Sequence, residues 1–169
     1  VKRYTAVLSH LRHIIKENDM LNYSKYIIDA HAHIFPDKIA VKAADNIGRF
    51  YDLYMNFDGT TDTLIKQGDE CGVSKFVVQS VATVPHQVKR INDFIVSAVQ
   101  KYPDRLIGFG SLHPDMNGME EEIDRLISIG LHGIKLHPDF QKFAINDENA
   151  CRIYDAVGDR LPFLIHTGD

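Results

Sequence analysis

Ile27–Lys38 reads IIDAHAHIFPDK, an apolar run that ends in two histidines one residue apart and then meets a proline turn. Alternate residues of a strand share a face, so a strand over 26–33 places Ile27, Asp29, His31 and His33 together, with Ile28, Ala30 and Ala32 on the opposite, apolar face suited to packing against helices. Two imidazoles side by side at a strand end suit adjacent positions around one divalent ion. Spacing alone leaves an even choice between a metal pair and a structural pair.

Outward from this stretch the chain alternates. Helical spacing of Val7, Leu8, Leu11, Ile14 and Ile15 predicts a helix over 3–17. After the first strand come helices near 38–55 and 62–71, the second capped by Thr61 or Asp62 and stopped by Gly72. KFVVQSVA (75–82) is a second strand, 86–102 a helix ended by Pro103, and LIGFGSL (106–112) a third strand. A helix over 119–129, the strand GIKLH (133–137), a helix capped by Asp147 and running through Val157, and the strand PFLIH (162–166) complete the series. Strands alternating with helices at about 30-residue intervals imply a parallel sheet of right-handed βαβ units. A doubly wound sheet and the first five units of a (β/α)8 barrel both satisfy this pattern. No GxGxxG or GxxxxGK[ST] loop follows a strand, which argues against nucleotide-binding folds. The polar residues gathered at strand ends favour the barrel, where sites lie at the C-terminal ends of the strands.

Strand parity gathers the chemistry. Lys135 and His137 share one face of the fourth strand, Ile134 and Leu136 the other; in the fifth, Leu164 and His166 oppose Phe163 and Ile165. His166 beside His31 and His33 makes a three-histidine site, suited to Zn²⁺ and also to Fe²⁺ or Mn²⁺. Lys135 is either a buried amine paired with Asp29 or a neighbour, or a carbamate ligand or substrate-orienting group. His113 reads as an ordinary hydrogen-bonding residue after a strand, and His10, His13, His86 and His132 as surface residues.

With 169 residues, 44% of them hydrophobic, the chain can build one good core. A net charge of −4 gives no basic footprint, so nucleic acid is not the expected partner. No apolar run approaches the roughly 18 residues of a membrane span, and the N-terminus is too polar for a secretory signal. Cys71 and Cys151 form no CxxC pattern and read as small core residues of a reduced, cytoplasmic protein.

IIDAHAHIFP, GIKLHPDFQ and LPFLIHTGD, in that order, resemble the amidohydrolase superfamily, and within it the amidohydrolase-related group that includes amino-carboxymuconate-semialdehyde decarboxylase. HxH alone also opens TatD-type DNases and PHP phosphoesterases; GIKLHP and LIHTG narrow the match. The resemblance runs over 26–169, leaving 1–25 as a separate N-terminal helical segment. It implies a distorted (β/α)8 barrel binding one divalent metal, with zinc the expected ion. His31 and His33 correspond to the first-strand ligands and His166 to the fifth-strand ligand. Lys135 falls where binuclear members carry a carboxylated lysine and is expected to stay an amine near the site. His137 is implied as a pocket residue contacting substrate.

The family pattern also calls for a sixth-strand histidine and an eighth-strand aspartate after His166, and Asp169 cannot replace the latter from the same strand end. The expectation is therefore the N-terminal part of a longer barrel, about five βα units, whose open sheet edges invite self-association. Three readings follow: a metal-dependent hydrolase acting on a small molecule by metal-activated water; a non-oxidative decarboxylase on the same scaffold; or a catalytically incomplete piece that keeps its histidines.

Overall fold

A computed structural model describes residues 27–167. The helix expected over 3–17, the first residue of the expected first strand, and Asp169 lie outside these residues. β1 (Ile27–His33) runs into Pro36, which opens helix α1 (Asp37–Phe50). α2 (Thr61–Cys71) follows, with Thr60 rather than Thr61 or Asp62 as its cap. The side chain of Thr60 accepts the N–H of Thr63, and Asp58 holds Thr60 in place by accepting both its N–H and its hydroxyl. Asp62 is thereby free to face outward, where it pairs with Lys101 at 2.6 Å. Gly72 ends the helix in the left-handed region (φ 74°), which a residue without Cβ enters at no steric cost.

β2 (Val73–Gln79) buries Phe76 and Val78 against the helices. A side chain at Gly68 of α2 would collide with the Phe76 ring, so this glycine sets the close approach of helix and strand. A 3₁₀ turn (Pro85–Gln87) leads into α3 (Val88–Lys101). The strand expected over 106–112 is divided at Phe109 into β3 (Leu106–Gly108) and β4 (Gly110–Ser111). There the chain changes partners: Phe109 N–H donates to Val78 O, and Gly110 N–H donates to Gly133 O. Next come α4 (Met119–Ser128), β5 (Ile134–Leu136), a short helix α5 (Pro138–Gln141) that the sequence reading lacks, α6 (Glu148–Val157) and β6 (Phe163–Ile165). Asp147 stands at the start of α6, but its carboxylate reaches back to the N–H of Ala144.

All pairings are parallel, in the orders β1-β2-β3 and β4-β5-β6. Ile123, Leu126, Ile134, Leu136 and Ile153 are fully buried between strands and helices. Buried Asn92 of α3 ties the layers together, accepting the N–H of Ser111 and donating to Ser111 O and to Glu122 of α4. At the N-terminal end of the strands, Arg105 donates to Ser74 O, Val73 O and Asp69.

Three expectations need correction. Ile28 and Ala30 do not pack under helices: β1 is an edge strand among the described residues, and Ile27 and Ile28 are about half exposed. Asp29 does not share a face with His33. Asp29 pairs with Phe76 and Ala32 with Val78, so three steps on β1 match two on β2, and this bulge reverses the alternation. The cysteines are not core residues either: Cys71 is half-buried and Cys151 exposed.

Candidate metal and substrate cleft

At the C-terminal end of β1, His31 and His33 converge on one point. Their Nε2 atoms lie 3.1 Å apart, with ring centroids at 5.2 Å. Two nitrogens each about 2.1 Å from one ion, at an angle between octahedral and tetrahedral, are about 3.0–3.4 Å apart. The pair therefore has the separation of adjacent ligands. Asp29 Oδ1 accepts the backbone N–H of His31 rather than an imidazole N–H, so it holds the strand and does not orient a ring.

Lys135 comes up from β5 with no exposed surface, and its Nζ is 3.1 Å from Nε2 of His31. The partner is this imidazole, not Asp29. Burial pushes the Lys135 pKa down to about 8. Burial, and then the Lys135 charge, lowers that of His33 to about 3 and also lowers that of His31. His33 is thus held neutral, the form in which imidazole binds metals.

His137 and His166 form a second group. Their rings stack at 4.1 Å, and Phe140 stacks on His137 at 3.9 Å. Tyr51, just past α1, brings its hydroxyl to 3.1 Å from Nε2 of His137 and 3.2 Å from Nε2 of His166. An Asp139 oxygen lies 3.7 Å from the latter nitrogen. Donor atoms of His137, Asp139 and His166 all fall within 4.8 Å of one another. Burial, and then the neighbouring His166, lowers the His137 pKa to about 4. The backbone N–H of His137 donates to Gln141 Oε1, while Gln141 Nε2 donates to Ala82 O and Leu112 O, so one buried amide joins three strand ends.

Both groups border a cleft of about 610 Å³ walled by Phe35, Tyr51, Tyr54, Phe57 and Phe140. All four sequence-chosen histidines line it, with Lys135 beneath, and His113 is a buried hydrogen-bonding residue with Nδ1 accepting the N–H of Asp115. His166 faces Tyr51 and Asp139, across from the His31–His33 pair. Sequence reasoning missed Tyr51, Asp139, Gln141 and Gln79. Asp139 could have been found two residues after His137; the others carry no local signal. Gln79, the register partner of His33, is fully buried, and among the described residues neither polar atom of its amide has a hydrogen-bond partner.

The amidohydrolase family model matches residues 28–169. The chain belongs to the amidohydrolase family. No curated protein matches it. Among solved structures, this amidohydrolase chain is similar to a probable 2-pyrone-4,6-dicarboxylic acid hydrolase from Acinetobacter baumannii with citric acid bound (22% identity, TM-score 0.56, 85% of this chain and 50% of that one). It is also similar to 5-carboxyvanillate decarboxylase from Novosphingobium aromaticivorans, complexed with manganese (21%, 0.65, 86% and 51%). A third is a dihydroxybenzoic acid decarboxylase from Polaromonas with bound manganese (16%, 0.59, 86% and 50%). At these identities the likeness establishes the fold, an incomplete (β/α)8 barrel. The amidohydrolase chain spans about half the length of these proteins. Among its described residues no helix is long and apolar enough to cross a membrane.

Proposed function

We propose that this chain carries the metal-binding half of an enzyme that hydrolyses a small carboxylate-bearing molecule at a carbonyl carbon. The observation that carries this reading is the convergence of the His31 and His33 Nε2 atoms, 3.1 Å apart, over buried Lys135. Three imidazoles, from His31, His33 and His166, would hold one divalent ion, with zinc the first choice for such a donor set. When bound there, such an ion would supply a Lewis acid able to activate water and polarise a carbonyl. The chain's own groups do the rest. The Lys135 ammonium, buried beneath the cleft against His31, adds positive charge under the site and so favours an anionic group there. His137, held neutral, meets the Tyr51 hydroxyl with its Nε2 at the wall of the cleft. The aromatic wall offers ring faces on which a planar substrate can stack.

The wall also favours a second reading. Five aromatic side chains around four imidazoles suit an aromatic acid, the substrate of a non-oxidative decarboxylase. Elemental analysis of protein purified without added metal, beside His31→Ala, tests both readings at their shared step. A near-stoichiometric metal lost in the variant supports them, and no metal in the wild type sinks both. A panel of lactones, amides and aromatic carboxylic acids then separates hydrolysis from loss of CO₂.

A further inference from the structure

A second cavity of about 290 Å³ lies beside the cleft, bordered by α1, the stretch after β2 and the short helix α5. His33, Phe35, Ile47 and Phe140 border both cavities. Their chemistry differs. The cleft is lined by four imidazoles, with the Lys135 ammonium beneath. Among the described residues, no carboxylate, ammonium or guanidinium lines the smaller cavity, and His33 is its one imidazole. Thr83 on its border donates both its N–H and its hydroxyl to Gln87 Oε1, so neither donor is left for a ligand. Phe140 is held from two sides, stacked on His137 at 3.9 Å and edge-on to Phe50 at 4.8 Å. Phe50, also on the border, is 57% exposed and so has apolar area left to bury.

We propose that the smaller cavity is a second lobe of the substrate site, taking an uncharged apolar arm of the molecule whose carboxylate lies in the main cleft. Its volume sits near the lower end of the roughly 300–1,000 Å³ of whole ligand pockets, which suits one substituent rather than a complete substrate. A charged arm would lose its hydration there with no opposite charge in return. An alkyl or alkoxy arm gains from burial instead. The four shared residues form the neck between the lobes: the ligand's ring lies against Phe35 and Phe140, and the arm passes them towards Ala43 and Val81. Those two line the smaller cavity and not the cleft, so they set the length of arm that fits. The substrate class is thereby narrowed to a planar acid with a short apolar substituent. This inference rests on the reading of the cleft as a site for a carboxylate-bearing molecule, and on no property of the metal.

The experiment compares three probes by NMR titration of the protein as purified: benzoate, 3-propoxybenzoate and 4-propoxybenzoate. Each buried CH₂ is worth about fourfold in affinity, so the isomer whose arm reaches the lobe should bind about tenfold or more tighter than benzoate. In Ala43→Leu, which fills the lobe from α1, that ratio should fall towards one. Val81→Phe fills it from the opposite side and should do the same, so the test survives if one variant does not fold. In wild type, the propyl protons of the tighter isomer should show nuclear Overhauser contacts to the methyl groups of Ala43 and Val81. Contacts to Leu64 of the main cleft instead overturn the proposal, as does a gain that persists in both variants. Benzoate binding with no gain from either arm overturns the second lobe and leaves the cleft reading standing. Failure of all three acids to bind wild type overturns the cleft as a carboxylate site and the second lobe with it.

Discussion

Nζ of Lys135 sits 3.1 Å from Nε2 of His31, a buried cation against a neutral ring rather than against a carboxylate. Such a charge is costly to the fold. Lys135→Met should stabilise the protein by about 1–3 kcal/mol at neutral pH, read from denaturant midpoints. The folded pKa is about 8 against 10.5 unfolded, so the unfolded chain binds more protons between those values and wild-type stability rises across that window. The variant should lack the rise. Its His33 and His137 should titrate higher than in wild type, because the Lys135 charge contributes to lowering both.

Gln141 spans three backbone groups: Ala82 O, Leu112 O and the N–H of His137. Gln141→Leu strands all three out of water, and we expect a loss of about 3–5 kcal/mol in chemical denaturation. Gln141→Glu keeps the acceptor for His137 but faces two carbonyls with a carboxylate, so it too should destabilise.

Gln79 presents the opposite case. Its buried amide has no partner among the described residues, so Gln79→Met removes an unmet polar group at nearly constant shape. A gain of about 1–2 kcal/mol is expected, with the midpoint moving and the denaturant slope unchanged. A loss of stability would show that the amide contributes to the fold.

Acid should weaken the molecule through His137. Its folded pKa near 4 lies below the ordinary 6.5, so the unfolded chain takes up a proton first as pH falls. Stability on this account falls from about pH 6.5 towards about pH 4, by roughly 1–3 kcal/mol for this one group. In His137→Gln the acid limb of the stability profile should flatten over that range.

Removal of metal offers a thermal test. A divalent cation at a hundred times its Kd should stabilise the fold by about 2.7 kcal/mol, and a chelator should reverse the gain. His33→Ala should abolish the response without a comparable change in the chelated state.

Much of this architecture is written locally. The alternation of β-branched runs with helical spacing marks each strand, and the parity of Lys135 against Ile134 and Leu136 survives intact: the lysine reaches His31, and the two aliphatic side chains are fully buried. Parity failed at Asp29 because register belongs to two strands at once, and a bulge in one is invisible in its own residues. Thr60 won the cap from Thr61 because Asp58 had already fixed its orientation, a turn two residues outside the helical pattern. Tyr51 reaches His137 and His166 across 86 and 115 residues, and Gln141 reaches Ala82 across 59, distances over which no periodicity speaks. Cys151 follows the same lesson in reverse, since a small apolar residue on a helix need not face inward.

Arg105 fastens the strands at the end remote from the histidines, holding Val73, Ser74 and Asp69 through separate nitrogens. Clasp and cleft therefore share no side chain. A lineage could redraw the wall around its substrate, one aromatic at a time, and inherit the clasp unaltered. Variation confined to one mouth of the molecule is the kind an ancestor can bequeath to descendants with different diets.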